Sequence, residues 1–170
     1  MSHATAITAF RGPVPDVKAL LRDVNAIAAR HGGELQLLDA RLVAGRDHLV
    51  SAVMHARRAF QEGRNGASTL PLETLRFASG ERQIARALQK MGLREERDAE
   101  VAAIAFDGNA EAAFAELAAR LGWQRDEAIL HPRASVYAGF GVTPEEQAAV
   151  PPEKWPDLVL ERVALVDLMK

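Results

Sequence analysis

The chain has 170 residues, 48% of them hydrophobic but only 5% aromatic, and a formal net charge of −2. That length suffices for a single domain with its own core, built from Ala, Leu, Val and Ile rather than aromatic rings. The lack of cysteine excludes disulfides, thiol nucleophiles and Cys-based metal centres, and the slight acidity argues against a broad basic surface for nucleic acid while leaving room for a local basic patch.

No apolar run approaches the roughly 18 residues that would span a bilayer. Met1-Ser2-His3-Ala4-Thr5 lacks the basic and apolar parts of a signal peptide. A cytoplasmic protein without membrane contact is therefore expected.

Alternation of period two over residues 5–10 predicts a first strand. Gly12-Pro13-Val14-Pro15 breaks it, and Asp16 caps a helix with Val17, Leu20, Leu21, Val24, Ile27 and Ala28 on its inner face. Gly32-Gly33 stops that helix before a second strand, Glu34–Asp39. Asp47 is expected to cap the next helix, with Leu49, Val50, Val53, Met54 and Phe60 facing the core. Gly63-Arg64-Asn65-Gly66 forms a loop.

Residues 70–77 read as a third strand. Ser79-Gly80 then opens a helix with Ile84, Ala87, Leu88 and Met91 inward, closed by Gly92. Residues 101–106 make a fourth strand. Asp107-Gly108-Asn109 turns the chain into a helix carrying Phe114, Leu117, Ala118 and Leu121, and Gly122 ends it. From 131 to 156 prolines at 132, 144, 151, 152 and 156 punctuate an irregular segment, and the chain closes on a clean helix over residues 155–168. The order predicts the α/β class: one domain, residues 1–170, with a mixed β-sheet packed by helices and a C-terminal helix.

Catalytic motifs are not found. The five histidines are His3, His31, His48, His55 and His131. His48 and His55 lie seven apart on one helix, where a zinc pair needs three or four. Gly139-Phe140-Gly141 has no preceding strand and no third glycine, so it is no phosphate loop. Ser79 lacks the G-x-S-x-G frame of a nucleophile elbow and reads as a helix-capping serine. Glu95, Glu96, Asp98 and Glu100 crowd a loop and strand start, as a solvated rim does. No catalytic residue, metal, cofactor or small-molecule substrate is expected.

One segment, Leu75-Arg76-Phe77-Ala78-Ser79-Gly80-Glu81-Arg82-Gln83-Ile84, stands apart. On this reading a helix start offers free N–H groups beside Arg76, Arg82 and Gln83, which suits a phosphate backbone. Arg82, Arg86 and Lys90 recur at i, i+4 and i+8, with Arg94 just beyond the helix and Arg57 and Arg58 on another helix. A solvated helix face explains the same stripe without any ligand. At the chain end, Leu158, Val159, Val163, Leu165, Val166 and Leu168 are too many for one small inward face. A helix-mediated interface through Leu165 and Leu168 and an ordinary two-sided core helix both account for them.

The Leu-Arg-Phe-Ala-Ser-Gly-Glu-Arg-Gln-Ile segment resembles the signature of the kinase-binding small subunit of the KEOPS tRNA-modification complex, the family of the PRPK-binding protein. The ending Glu161-Arg162-Val163-Ala164-Leu165-Val166-Asp167-Leu168 is similar to that family's closing helix, and the element order between them fits. The resemblance implies an α/β fold without enzymatic activity. It also implies an accessory role in threonylcarbamoyl-adenosine formation in tRNA. Two partners follow from it: the small atypical kinase/ATPase subunit, and, as in archaeal members, the 3′ CCA end of tRNA. The residues implied for tRNA are Arg76, Ser79, Gly80, Arg82, Gln83 and Ile84, with Phe77 as a further apolar contact. Leu165 and Leu168 are implied for the kinase. Two other classes stay open on the residues alone: a protein-only regulatory adaptor, and a small-ligand enzyme whose site lies under residues 131–156.

Overall fold

Period-two patterning at the start of the chain does give a strand, and it runs further than expected. β1 spans Thr5–Val14 because Gly12-Pro13 is absorbed as a register shift against the neighbouring strand. Then come α1 (Val17–Arg30), β2 (Glu34–Asp39), α2 (Arg46–Gln61), α3 (Leu70–Ser79) and α4 (Ile84–Met91). The chain continues through β3 (Glu96–Phe106), α5 (Ala110–Leu121), β4 (Gln124–Arg125), α6 (Ala134–Gly139), α7 (Pro144–Ala148) and α8 (Trp155–Leu165). The structure, a computed structural model, describes residues 4–168, so His3 lies outside it. The described residues form two compact units, one of those up to Ala40 with Gly92–Ile129, the other of Arg41–Met91 with those from Leu130 on.

The first unit holds a four-stranded sheet in the order β2-β3-β1-β4. The α/β class stands, but the strand pairings, expected to be mixed, are antiparallel throughout the described sheet. Phe10 faces Val101, and Leu37 faces Ala103. On that face Leu20, Val24 and Ile27 of α1 and Phe114 and Leu117 of α5 close the core. Ala99, Ala103 and Ala105 along β3 keep this face low, so few aromatic rings are needed to fill it. Two caps fall where expected: Asp16 accepts from the Ala19 N–H at 3.1 Å, and Asn109 from the Ala112 N–H at 3.1 Å.

The second unit is helical, and here the sequence reading needs correction. Residues expected to form a third strand are α3. Thr69 caps it by accepting from the Leu72 N–H, and Pro71 sits in its first turn, where a missing N–H costs nothing. Pro71, Glu73, Thr74, Leu75, Arg76, Phe77, Ala78 and Ser79 are all buried, so α3 runs through the middle of its unit and has no solvent stripe. Ser79-Gly80 closes α3 instead of opening the next helix, with Gly80 in the left-handed cap at φ 72°. The expected Asp47 cap is also displaced. Gly45 occupies the N-cap of α2, and Asp47 lies in the first turn, where its charge suits the helix dipole.

Four side chains placed inward by periodicity are exposed instead: Leu21 at 47%, Val50 at 38%, Met54 at 58% and Leu88 at 46%. Each lies at the margin of an apolar stripe whose centre is filled by Leu20, by Leu49 and Val53, or by Ala87 and Met91. Residues 131–156 form short ordered pieces. Thr143 and Glu146 make a capping box on α7, Trp155 donates to the Gln147 carbonyl at 2.9 Å, and Tyr137 meets Trp155 edge-on at 5.7 Å.

Candidate functional site

The second unit carries both surfaces singled out in the sequence. The turn between α3 and α4 is built from the inside. Glu73, fully buried, accepts from Arg76 Nε at 2.5 Å and from the Gly66 N–H at 2.8 Å. Arg76 Nη1 donates to the Arg82 carbonyl at 3.3 Å, and its guanidinium rests on Gly66, where a Cβ would crowd it at 2.8 Å. Ser79 Oγ donates to the Arg76 carbonyl at 2.8 Å and accepts from the Glu81 N–H at 3.1 Å. These hydrogen bonds hold the loop, the helix and the turn together.

Behind the turn, His48 of α2 is wholly buried. Its Nδ1 accepts from the Ala44 N–H at 2.9 Å, and the partner of Nε2 is the Ala78 carbonyl at 2.7 Å. Accepting at Nδ1 leaves the proton on Nε2, so the ring is a neutral bridge from α2 to α3. Burial, with a smaller push from the Lys90 charge against the raising hydrogen bond to Ala78, lowers its pKa to about 4. Phe140 lies edge-on to His48 at 5.3 Å, and Lys90 Nζ sits 4.1 Å from the centre of the Phe140 ring. Lys90 also reaches Glu81 at 3.9 Å. Desolvation lowers the Lys90 pKa, with Glu81 opposing.

Toward solvent the turn presents Arg82 and Gln83, followed by Arg86 on α4. Neither Arg82 nor Arg86 meets a carboxylate among the described residues. The first free N–H groups of α4 follow Gln83, whose carbonyl accepts from Ala87, so Arg82 and Gln83 flank that helix start.

The closing helix has a filled inner face, with Val159, Val163 and Val166 buried. A 3-10 turn over Val166–Leu168 continues it. Leu165 is 47% and Leu168 73% exposed. Asp167 ties this last turn down: Arg64 Nη1 donates to it at 3.0 Å, and His55 Nδ1 lies 3.9 Å away. Arg162, in the middle of α8, donates to Glu146 of α7 at 2.8 Å and to the Phe140 carbonyl at 3.3 Å. Among the described residues no three His, Asp or Glu side chains gather to hold a metal ion, and no helix is long and apolar enough to cross a membrane.

The family model described as "Kinase binding protein CGI-121" matches residues 14–166. The chain belongs to this family. That membership, in a family of kinase-binding small subunits of KEOPS, supports a general accessory role. No curated protein matches the chain. Within the CGI-121 match lie both sequence motifs up to Val166, and Leu168 falls just past its end.

Of the residues read for tRNA, the structure places Arg82 and Gln83 at the surface and leaves Gly80 and Ile84 half-buried. Arg76, Phe77 and Ser79 are buried. Arg86 and Leu88 are exposed on α4, and Glu81 stands beside Arg82, paired to Lys90. Sequence reasoning had Arg86 in its basic stripe but put Leu88 inside. The signal for Leu88 was its place at the edge of the Ala87/Met91 stripe.

Proposed function

We propose that this chain is the non-catalytic adaptor of its complex, joining the small atypical kinase/ATPase subunit to the 3′ CCA end of tRNA and so supporting threonylcarbamoyl-adenosine formation. Membership of a kinase-binding family over residues 14–166 carries this reading. The outer face of α8 supports the kinase half: with Val159, Val163 and Val166 filling the inner face, Leu165 and Leu168 are apolar area with no internal use. Arg82 and Gln83, beside free helix N–H groups, support the tRNA half. Arg76 and Ser79 serve that site by holding the turn from within, with Gly80 as its left-handed hinge and Ile84 as a half-buried apolar floor. The gain is effective concentration, since a tethered tRNA samples the complex locally and each contact need only be modest.

Two measurements test the halves separately. Leu165→Glu should abolish capture of the kinase subunit while leaving circular dichroism unchanged; loss of fold would assign Leu165 to the core. Matched tRNA with and without its CCA end, titrated across a salt series, should bind only when the tail is present. Indifference to the tail would leave a protein-only adaptor.

A further inference from the structure

Asn65-Gly66 lies exposed in the loop between α2 and α3, and the family reading gives it no part. It does not serve there as a positive-φ turn, since that conformation falls to Gly63 at φ 67°. Gly66 is fixed for a different reason. Any side chain at this position would put its Cβ 2.8 Å from Arg76 Cζ and 2.9 Å from Arg76 Nε. The guanidinium is not free to step aside, because Arg76 is buried and held by Glu73 and by the Arg82 carbonyl. Packing therefore imposes a glycine directly after an exposed asparagine.

That pair carries covalent chemistry of its own. Once hydroxide removes the Gly66 amide proton, the nitrogen can attack Asn65 Cγ, and a glycine leaves the approach unshielded. The new N–Cγ bond closes a five-membered succinimide as the Cγ–Nδ2 bond breaks, and Nδ2 leaves as ammonia with a proton from water. Water then opens the ring at either carbonyl. One opening leaves an aspartate at position 65. The other leaves an isoaspartate, whose main chain runs through the side-chain carbon and is longer by one methylene. The net change is one water in and one ammonia out.

In the folded chain both reacting groups are held. The Gly66 N–H donates to Glu73 Oε2 at 2.8 Å, and Asn65 Nδ2 donates to the Ala67 carbonyl at 2.9 Å. Glu73 is fully buried. Removing the amide proton would leave two anionic groups in contact, so this carboxylate opposes the first step.

We propose that Asn65 is a site of spontaneous deamidation, held closed by the Glu73 carboxylate and opened when the junction of Glu73 with Arg76 loosens. The substrate is the chain's own side-chain amide, and the co-reactant is water. Conversion to isoaspartate reinforces itself: the extra methylene moves the Gly66 N–H off Glu73 and takes Gly66 away from Arg76. A transient loosening of the turn is thereby fixed as a covalent mark.

The test is ageing of the full chain at mildly alkaline pH, folded and in urea, read by mass spectrometry. Trypsin releases residues 65–76 as a peptide with a single asparagine, so a gain of one mass unit reports on Asn65 alone. Asn65 should convert roughly tenfold or more slowly in the folded chain than in urea, the protection that a hydrogen bond to a charged group supplies. Glu73→Gln, folded by circular dichroism, should convert several-fold faster than the parent. Amide hydrogen exchange checks the restraint in the parent itself, because exchange begins with the same proton removal: Gly66 should be slowed by roughly tenfold or more against the unfolded chain. The Phe77 amide, in the middle of buried α3, reports global opening. Equal conversion in folded and unfolded chains, no conversion in urea, or Gly66 exchange at the unfolded rate overturns the proposal. So does a folded Glu73→Gln that converts as slowly as the parent, or one that speeds Gly66 and Phe77 exchange equally. If Glu73→Gln does not fold, Gly66 exchange in the parent decides.

Discussion

Arg82 stands at the surface of the turn between α3 and α4, whereas Arg76 holds that turn from within. Its side chain is buried, and Arg76→Ala would strip three interactions at once: the 2.5 Å bond to Glu73, the bond to the Arg82 carbonyl and the packing on Gly66. Glu73, fully buried, would keep only the Gly66 N–H. Breaking a buried ion pair by removing one partner costs roughly 3–5 kcal/mol, because the remaining charge is uncompensated. The surviving Gly66 bond places this case near the lower end. At about 2–4 °C per kcal/mol for a chain of this size, the melting temperature should fall by roughly 6–12 °C. Glu73→Gln added to Arg76→Ala should recover part of the loss, since no charge is then left buried. Arg82→Ala, at an exposed position, should stay within about 0.5 kcal/mol of the parent. Urea unfolding followed by circular dichroism measures all three. An Arg76→Ala midpoint matching that of Arg82→Ala would refute the argument and restore Arg76 as a surface cation.

Three further outcomes follow from the same unit. His48, held neutral with its pKa lowered to about 4, binds a proton in the unfolded chain but not in the folded one between that value and about 6.5. Stability is therefore fully present above about 6.5 and falls with pH toward 4, by up to about 1.4 kcal/mol per unit; His48→Gln should flatten that stretch of the urea-midpoint profile. Lys90→Met should weaken tRNA binding several-fold by freeing Glu81 to repel phosphate, and Glu81→Gln in the same chain should restore it; a Lys90→Met defect that Glu81→Gln does not relieve would make Lys90 purely structural. Gly80→Ala, at φ 72°, should cost about 1 kcal/mol by thermal unfolding, and an unchanged melting point would contradict the left-handed cap.

The two helices covering the sheet were legible because each has one buried and one exposed face, which makes period 3.6 visible in α1 and α5. The strands are buried on both faces over residues 7–10 and 101–106, so their short apolar runs and the turn residues that bound them carried the signal. Asp16, Asn109 and Gly122 mark the helix ends for the same local reasons in sequence and structure. α3 was not legible as a helix because it is buried nearly all round and offers no polar side to count from. Its Leu70 and Leu72, with a charge between Leu72 and Leu75, imitate alternation. Thr69 followed by Pro71, and Gly80 past the end, carried the contrary signal.

That error moved the helix start by four residues and gave Arg76 and Ser79 an expected exposure, whereas both are buried. Arg82 and Gln83 are exposed because they lie beyond the cap. The exposed leucines of the closing helix were legible by simple surplus: three valines already fill the face that packs inward. The exposure of Val50 and Met54 on α2 was not, since both continue the apolar stripe, and only the packing shows that Leu49 and Val53 suffice to fill it.

The central claim, that one small chain ties a kinase subunit to a tRNA tail, is tested most directly by capture on immobilised tRNA. The account predicts that tRNA retains the kinase subunit when this chain is present, and that removing the CCA end or introducing Leu165→Glu abolishes the retention. Equal retention on tailless tRNA, or retention that does not depend on this chain, would contradict it.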